Sequence, residues 1–595
     1  MRLENYALIG DCHTAALVSG AGAVDWLCLP HFSSAPVFAA LLDPQGGTWW
    51  IHPQGEFRSS QAYLQGSNVL QTRFECATGT AVLTDCFAIE RDLDQLRPEH
   101  ELLRVVECVQ GELSIAMQFA PRTRYGARPM RLHRLGRLGW QCRSRGMDAI
   151  LQTDIPIEVR EQSSVLVGSV RLRAGERAVA SWAYANREVC VLPPLGEAER
   201  RCDQTADWWR EWLQRCEYDG PHAASVRRSL LTLKLLTSSL TGAVMAAPTT
   251  SLPERIGGER NWDYRYCWTR DSVFAIGAFL DLGCEAEGVA FQRWLLRAVR
   301  LPWTKLQVVS DLWGDTWLRE RRLPHLRGFR DSRPVRIGNA ASKQFQGDVY
   351  GELIAATCDF VDRGGELSED ECRLLRGLAQ RVLHVWRQPD RGIWEKRDSP
   401  RHHTFSKAMC WVAIERLLRI DERLHLELPI ERLRAEQKLM REQIDARGYN
   451  DELGAYVSHY GSREPDASLL LLPRYGYIAA DDRRMRGTFA LIEKELTRGP
   501  FVWRYRSDDG LDGGEGSFLP CAFWAIEYLA LTGDLERACS RLEQLLSHGS
   551  PTGLFAEEFS PEDAEMLGNY PQALTHESLI DAVLTLNRAL PGRGP

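Results

Sequence analysis

Two short segments in the second half of the sequence contain carboxyl groups whose neighbours suit acid–base chemistry. In the first, PDRGIWEKRD (residues 389–398), Glu395 follows Trp394 in a turn predicted to come after a helix. A carboxyl group beside a tryptophan can be partly shielded from water, which favours its neutral, proton-donating form. Without a partner, Glu395 is more typical of an ordinary exposed loop, so a role as general acid requires a second carboxylate.

The second segment supplies that carboxylate. It is GLFAEEFSPE (residues 553–562), which contains the adjacent acids Glu557 and Glu558. Hydrolysis of a glycoside with inversion needs an acid at the leaving oxygen and a base that activates water on the opposite face of the sugar, with the carboxyl groups roughly 6.5 to 9.5 Å apart. Glu557 or Glu558 could be that base, although adjacent acids in a loop are often simply solvated. The prediction therefore depends on the pair.

A third segment could hold the sugar. NWDYRYCWTRDS (residues 261–272) places Arg270 and Asp271 among aromatic residues, just before an apolar helix predicted at 273–282. An arginine and an aspartate can hold sugar hydroxyls through charge-assisted hydrogen bonds while aromatic rings cover the apolar sugar face. The alternative is a surface ion pair beside a helix N-terminus, with Asp271 or Ser272 as the cap.

A glycine-rich stretch, RYRSDDGLDGGEGSF (residues 504–518), could be mistaken for a phosphate-binding loop. It lacks the P-loop spacing with its Lys-Ser/Thr ending, and it does not follow a clear strand. We interpret it as a loop that either faces the substrate or is structural.

The secondary structure predicted to position these segments changes from strands to helices near residue 198. Before it, short β-branched or alternating runs bounded by Gly, Asp or Pro predict strands at 67–74, 80–87, 103–109, 112–119 and 164–172. After it, apolar residues recur at helical spacing near 285–300, 346–360, 368–387, 405–419, 430–446, 516–532, 535–547 and 576–589. This pattern predicts an N-terminal antiparallel β-sandwich followed by a closed ring of helical hairpins.

The expected domains are a β-sandwich at 1–200, a helical linker at 201–224 and a catalytic helical domain at 225–595. No long low-complexity linker separates the two halves, so we expect them to pack together. The helical half has no fixed sequence period, which argues against a solenoid of copied repeats.

Composition excludes several classes of protein. The 595 residues carry a formal charge of −7, from 80 acidic and 73 basic residues mixed along the chain, so no basic face for nucleic acid or anionic lipid is expected. Residues 1–19 contain Glu4, Asp11 and His13 among short apolar stretches, which predicts neither an export signal nor a membrane span and favours a cytoplasmic protein. The 16 cysteines include no C-x-x-C pair, so we predict reduced thiols and no zinc site.

Together these segments resemble glycoside hydrolase family 15, which includes glucoamylases, glucodextranases and some bacterial trehalases. The resemblance covers nearly the whole chain. It begins with YALIGDCHTAALVSGAGAVDWLCLPHFSSAPVFAALL at 6–42 and continues through ERNWDYRYCWTRDS, RPVRIGN, GDVYGE, RGIWE, SKAMCW, DASLLLLP, YRSDDGLDGGEGSF and LGNYPQALTH. It implies an N-terminal β-sandwich, a catalytic (α/α)6 barrel, hydrolysis with inversion, and no cofactor required by the chemistry.

The resemblance also implies roles for individual residues. The family acid falls on Glu395 and the family base on Glu557. The other implied site residues bind substrate: Tyr264 would help hold the attacking water, Trp268, Arg270, Asp271 and Trp394 would line the pocket for the terminal glucose, and Glu558 would lie beside the base.

The sequence departs from the family pattern beside the expected acid. Where relatives commonly read Asn-Gly-Ala-Tyr, this chain has NAAS ending at Ser342, and Lys396, Arg397 and Asp398 follow the acid in place of the commoner Val-Arg-Gly. Both changes border the side of the pocket that would hold the leaving group. They bear on the substrate more than on the reaction.

The resemblance leaves the substrate open between trehalose, which we favour slightly, and short α-1,4 or α-1,6 gluco-oligosaccharides. We expect a small carbohydrate substrate and no nucleic-acid or membrane partner, and a homo-oligomer is compatible with the sequence. A glycoside phosphorylase is disfavoured because a carboxylate at the Glu557 position would repel a phosphate nucleophile. A non-catalytic sugar-binding protein would be expected to lack one of the two carboxylates.

Overall fold

Strands fill the first part of the chain in the computed structural model, which describes residues 1–90, 97–144, 147–160, 164–186, 189–300, 306–507, 511 and 514–590. They are β1 (Tyr6–Gly10), β2 (Ala15–Ser19), β3 (Ala23–Cys28), β4 (Pro36–Phe38), β5 (Thr48–Pro53), β6 (Arg58–Tyr63), β7 (Leu70–Cys76), β8 (Gly79–Glu90), β9 (Arg97–Ala120), β10 (Arg122–Thr123), β11 (Arg128–Pro129), β12 (Leu132–Arg134), β13 (Trp140–Ser144), β14 (Met147–Thr153), β15 (Ile157–Arg160), β16 (Val165–Arg173) and β17 (Arg177–Asn186). All their pairings are antiparallel.

The long strand β9 belongs to both sheets of a sandwich. Its first part pairs with β8 and β17, and its part beyond Gly111 pairs with β5 and β16. Gly111 has a φ of 75°, and a Cβ atom there would lie 2.1 Å from the Thr78 carbonyl oxygen, so only glycine fits. The prediction of two separate strands at 103–109 and 112–119 is therefore wrong: the backbone continues through the bend as one strand.

Side chains that alternate along the strands fill the space between the sheets. Trp49, Phe119 and Trp182 are fully buried there and meet edge to face, with ring centroids 5.2 to 6.4 Å apart. A period of two residues places such side chains on one face of each strand, which is why the alternation seen in the sequence predicts the sandwich.

Helices fill the rest of the chain. They are α1 (Ala198–Leu213), α2 (Ala223–Leu236), α3 (Thr269–Asp281), α4 (Glu285–Arg300), α5 (Asp348–Asp362), α6 (Glu369–Val385), α7 (Thr404–Leu424), α8 (Ile430–Arg447), α9 (Arg483–Leu496), α10 (Leu519–Leu531), α11 (Leu535–Leu546) and α12 (Ala573–Ala589). Short strands lie in the loops between them: Thr250–Pro253, Asn261–Asp263, Cys267–Trp268, Val309–Ser310, Arg321–Arg322, Arg336–Ile337, Tyr449–Asn450, Ala455–Tyr456, Thr497–Arg498, Phe501–Val502, Ser517–Phe518, Glu558–Ser560 and Glu565–Leu567.

From α2 onward, outer and inner elements alternate and close a ring. Helices α3, α5, α7, α10 and α12 form the inner wall with the 3₁₀ helix Ala467–Leu471, and each inner element contacts the next around the circle. Helices α2, α4, α6, α8, α9 and α11 lie outside them. The result is an (α/α)6 barrel, as predicted, with one inner helix shortened.

The sequence around residues 467–471 lacks a full helical pattern because the inner element formed there is a short 3₁₀ helix. All five residues of Ala467–Leu471 are buried, and the Asp466 side chain caps the first turn by accepting a hydrogen bond from the Ser468 amide. A second hydrogen bond to the same Asp466 oxygen comes from the Trp394 indole, at 2.8 Å. This wall element is thus tied to the segment that carries Glu395.

The sandwich packs directly on the barrel. The Trp26 indole donates to the Pro248 carbonyl at 2.8 Å, the Tyr570 hydroxyl donates to the Tyr6 carbonyl at 2.8 Å, and the Arg265 guanidinium donates to the Ser34 carbonyl at 2.8 Å. Within the described part of the chain, no helix combines the length and apolar character that a membrane crossing requires.

Candidate active site

One pocket opens at the end of the barrel where the loops after the inner and outer helices converge. Its lining includes two of the three segments singled out in the sequence, those that carry Glu395 and Arg270, together with residues from the glycine-rich loop: Ala246, Glu254, Arg260, Trp262, Tyr264, Trp268, Arg270, Asp271, Asn339, Ala341, Gln344, Ile393, Trp394, Glu395, Lys396, Arg397, Arg504, Tyr505, Leu511, Phe518, Trp524, Gln572 and Leu574. Aromatic faces and charged groups alternate around it, which suits a sugar.

The start of α3 carries the groups predicted to hold the sugar. Cys267–Trp268 pairs with Val309–Ser310, and α3 begins at the next residue, so Arg270 and Asp271 lie in its first turn. Arg270 donates to Asp348 at 2.9 Å and to Gln346 at 3.1 Å. Neither Asp271 nor Ser272 caps the helix, because the residue at the cap position is Trp268 and makes no side-chain cap.

Asp271 lines the pocket close to two charges of opposite sign. Burial raises the pKa of its carboxyl to about 7; the Arg270 guanidinium opposes this effect, and the charge of Glu395 adds to it. A carboxyl group that titrates near neutrality can accept or donate a hydrogen bond to a sugar hydroxyl.

The segment carrying Glu395 is a closed loop with little freedom. The backbones of Asp390 and Arg401 pair at its base through two hydrogen bonds of 2.8 Å. Gly392 has a φ of 67°, and a Cβ atom there would lie 2.8 Å from the His403 ring. Glu395 itself has a φ of 57°, a left-handed conformation that a non-glycine residue adopts only when its surroundings enforce it.

One carboxylate oxygen of Glu395 is fixed by the pocket wall. The Trp268 indole donates to Oε1 at 2.8 Å, and the Arg270 guanidinium lies 3.5 Å from the same atom. The Gln344 side chain donates to the Glu395 carbonyl at 3.0 Å. Both side-chain contacts go to Oε1, so the carboxyl group is oriented while Oε2 takes no part in these contacts.

Glu557 lies deeper in the wall than Glu395. It is 1% exposed, and its Oε1 accepts a hydrogen bond of 2.6 Å from the hydroxyl of Tyr264, which lines the pocket. Its Oε2 accepts from the Asn569 amide at 3.3 Å, and a Cβ atom at Gly568 would lie 2.5 Å from this oxygen. The contact between Glu557 and the pocket therefore runs through Tyr264.

The two carboxylates are connected across the pocket by a pair of aromatic side chains. The rings of Tyr264 and Trp268 meet at 61°, with their centroids 5.1 Å apart. The Tyr264 hydroxyl holds Glu557, and the Trp268 indole holds Glu395. Each aromatic side chain therefore orients one of the two carboxylates.

Behind Glu557, Arg504 is surrounded by buried acids. Its guanidinium contacts Glu254 at 2.9 Å, Glu515 at 2.6 Å and Glu558 at 3.0 Å. Carboxylate oxygens of Glu254, Glu557 and Glu558 all lie within 4.8 Å of one another, which is close enough to share a cation. Arg504 already supplies positive charge to this cluster.

These crowded acids raise one another's pKa values. Burial raises the pKa of Glu557 to about 8, with the charge of Glu254 as the next cause, while Arg504 and the Tyr264 hydroxyl oppose the shift. The pKa of Glu254 is raised as well, first by burial. A base in this position therefore needs either neighbouring positive charge or an alkaline medium to be ionised.

The structure places most of the predicted site residues in the pocket lining, but not Glu557 and Glu558. Tyr264, Trp268, Arg270, Asp271, Trp394 and Glu395 all line the pocket, and Glu557 touches it through Tyr264. Glu558 is not part of the lining: it is fully buried and accepts from Arg504 and from the Gly516 amide. Its carboxylate lies within 4.8 Å of that of Glu557, beside the predicted base.

Sequence reasoning missed several groups that shape the pocket. Arg504 and Glu515 lie in the glycine-rich stretch, which the sequence predicts to be either substrate-facing or structural. Glu254 lies in a segment whose sequence offers no signal for a role in the site. Asp348, which holds Arg270, occurs in the GDVYGE motif and could have been noticed as an acid at the start of a helix.

A β-sandwich packed on an (α/α)6 barrel, with paired carboxyl groups and aromatic walls in one pocket, defines this protein as a glycoside hydrolase. The model for "Glycosyl hydrolases family 15" matches residues 220–584, and a model for "Trehalase-like, N-terminal" matches residues 1–139. The chain belongs to glycosyl hydrolases family 15.

Relatives of known name agree over the full length. The chain is 35% identical to a trehalase of Mycolicibacterium smegmatis and 36% identical to a trehalase of Mycobacterium tuberculosis, covering 99% of this chain and 91% and 90% of those proteins. A trehalase of Thermoplasma volcanium is 33% identical, over 99% of this chain and 94% of its own. A bacterial glucoamylase solved with acarbose shares the fold, with a TM-score of 0.72 over 98% of this chain and 93% of its own at 11% identity.

Proposed function

We propose that this enzyme hydrolyses α,α-trehalose to two molecules of glucose with inversion at the attacked carbon, using Glu395 as general acid and Glu557 as general base. The observation that carries the proposal is the wall in which Trp268 orients Glu395 and Tyr264 orients Glu557. Inverting hydrolysis needs two such groups at different positions around one sugar. Full-length similarity to several trehalases supports trehalose as the substrate.

On the acid side, Glu395 protonates the oxygen that joins the two sugars. Trp268 and Arg270 both contact Oε1, so we assign proton donation to Oε2. As the bond between the anomeric carbon and this oxygen breaks, the proton of Glu395 moves to the oxygen, and the leaving glucose departs as a neutral alcohol. Proton donation by a general acid positioned in this way contributes about 10² to 10⁴ in rate.

On the base side, Glu557 takes a proton from water while the water oxygen bonds to the anomeric carbon. Each carboxylate oxygen of Glu557 accepts one hydrogen bond, from Tyr264 and from the Asn569 amide, and still has a lone pair for the proton. The Tyr264 hydroxyl stands where it can also hold the water. After the products leave, solvent returns the proton from Glu557 to Glu395.

The bound glucose is held by the start of α3. Arg270 is positioned by Asp348 and Gln346, so its guanidinium reaches the pocket in a fixed direction. Asp271 beside it can accept from or donate to a sugar hydroxyl. The rings of Tyr264 and Trp268 cover the apolar face of the sugar.

The test is the configuration of the first products. Trehalose, maltose, isomaltose and maltotetraose are offered to wild-type enzyme and to Glu395→Gln and Glu557→Gln, with anomers followed by NMR before mutarotation. Inversion of trehalose releases one β-glucose and one α-glucose per turnover, whereas retention releases α-glucose alone. Both variants should lose about 10² to 10⁴ in kcat.

A matched control is Glu562→Gln, which removes an exposed carboxylate a few residues beyond Glu557 that pairs with Arg498. It should retain wild-type rates. Release of α-glucose alone would contradict inversion, and turnover only with phosphate, giving glucose 1-phosphate, would contradict hydrolysis. A marked preference for maltotetraose would contradict trehalose as the substrate.

A further inference from the structure

The side of the pocket beyond Glu395 contains a buried lysine that the proposed chemistry does not use. Lys396 is 7% exposed and lines the pocket next to Glu395. Its ammonium group donates to the Ser507 hydroxyl at 3.0 Å and lies 4.0 Å from the centre of the Tyr505 ring. No carboxylate of the described residues lies within ion-pairing distance of it.

An ammonium group in this position retains capacity for another acceptor. It has three N–H donors, of which Ser507 takes one and the Tyr505 ring attracts another. Burying a cation without a paired anion is costly, so a ligand that offers an acceptor oxygen there gains binding energy.

The aromatic faces around Lys396 are already covered. Lys396 lies over Tyr505, the Arg397 guanidinium lies 4.1 Å from the centre of Trp262, and the Arg336 guanidinium lies 4.5 Å from the same ring. A further sugar unit stacks only on a free aromatic face. Here cations occupy these faces, so this side offers hydrogen-bond donors rather than a platform for successive sugars.

Arg397 is itself fixed, which leaves Lys396 as the available donor. Glu320 holds the Arg397 guanidinium at 2.8 Å, and the same carboxylate lies 3.6 Å from Arg336. The guanidinium groups of Arg397 and Arg336 therefore both interact with the Glu320 carboxylate within the protein. An anionic sugar would in addition meet the acids Glu395 and Asp271 in the pocket, so the group that Lys396 receives is neutral.

We propose that Lys396 determines specificity for the leaving group, donating a charge-assisted hydrogen bond to a hydroxyl of the departing sugar, and that the cation-covered rings beside it limit this side to one sugar unit. This deepens the proposed function, on which it rests, by naming the substrate class as compact α-glucosyl disaccharides rather than glucan chains.

The test compares a substrate that has a leaving sugar with one that has none. Lys396→Met keeps the length of the aliphatic stem against Tyr505 and removes the charge. The kcat/KM of wild-type enzyme and variant is measured on trehalose and on α-glucosyl fluoride, whose leaving group carries no hydroxyl. We expect the loss on trehalose to exceed the loss on α-glucosyl fluoride by about 10- to 100-fold, the value of one hydrogen bond to a charged group.

Two control variants separate this role from structural ones. Ser507→Ala removes the hydroxyl that accepts a hydrogen bond from Lys396 and should change the ratio of the two losses far less. A ratio like that of Lys396→Met would mean that the lysine acts by ordering its loop. Lys494→Met removes an exposed lysine on α9 and matches the change in net charge. Thermal unfolding confirms that each variant is folded.

The outcomes differ from those that test the proposed function. An equal loss on both substrates would overturn the role of Lys396 in leaving-group binding, because the lysine would then act on the bound glucose or on Glu395. A larger variant effect on maltotetraose than on the disaccharide would overturn the limit to one sugar unit. If wild-type enzyme cleaves another disaccharide and not trehalose, the proposed substrate fails, and the same comparison with that disaccharide still decides the role of Lys396.

Discussion

Removing the charge of Glu254 should make the enzyme active at lower pH. Glu254 is 1% exposed, and its carboxylate lies within 4.8 Å of that of Glu557. The charge of Glu254 helps to raise the pKa of Glu557. Glu557 must be deprotonated to act as a general base. Glu254→Gln removes this charge, so the pKa of Glu557 should fall and the acidic limb of kcat/KM should move to lower pH.

The size of the shift follows from the geometry. Two unit charges 4.8 Å apart interact by about 3.5 kcal/mol at an effective dielectric constant of about 20, which corresponds to about 2.5 pKa units. Arg504 contacts Glu254 and offsets part of its charge, and burial raises the pKa of Glu254 itself. We therefore expect a downward shift of about 1 to 2 units.

The assay is kcat/KM for trehalose across pH 4 to 10 in buffers of constant ionic strength, roughly spanning the titration of carboxyl groups and lysines. Glutamine at 254 can still accept the hydrogen bond that the Trp262 indole donates to Oε1 at 3.0 Å, so the wall should keep its shape. Glu259→Gln is the matched control, since Glu259 lies in the same segment but outside the carboxylate cluster. An acidic limb that stays in place or moves upward in Glu254→Gln would refute the assignment of Glu557 as the base.

Three further variants test the framework around the site. Arg504→Met leaves its buried carboxylate partners without a counter-charge. The free energy of unfolding, measured with denaturant, should fall by about 3 to 5 kcal/mol. An unchanged denaturation midpoint would contradict a stabilising role for Arg504. Gly392→Ala forces a side chain into a left-handed backbone conformation against His403. It should lower the free energy of unfolding by about 1 to 3 kcal/mol and abolish most activity. Gly364→Ala is the control: this glycine has a φ of 90° and no atom near its Cβ position, so the variant should keep full activity. Arg265→Met breaks the fully buried ion pair with Asp263 and the hydrogen bond to the Ser34 carbonyl of the sandwich. We expect the barrel helices to melt at a lower temperature than in wild-type enzyme. An unchanged melting temperature would show that these contacts do not stabilise the domain interface.

Much of the architecture can be read from local patterns because those patterns express geometry within one element. Alternation with a period of two predicts strands such as β8 and β16, and a period of 3.6 predicts helices such as α4 and α11 almost to their ends. The failures occur where distant contacts overrule the local pattern. The helix expected from residue 516 begins at Leu519, because Ser517–Phe518 is drawn into a strand beside Glu558–Ser560.

Local sequence patterns predict the order of the domains, the barrel of helical hairpins and the segments that carry Glu395, Glu557 and the first turn of α3, because each depends on residues near one another in the chain. Which side chains meet in the site follows from the folding of the whole chain. Tyr264 and Glu557 are 293 residues apart, and Arg504 gathers carboxylates from three separate segments. Contacts of this kind follow from closure of the ring, which places the ends of its loops around one pocket, and no local periodicity records them.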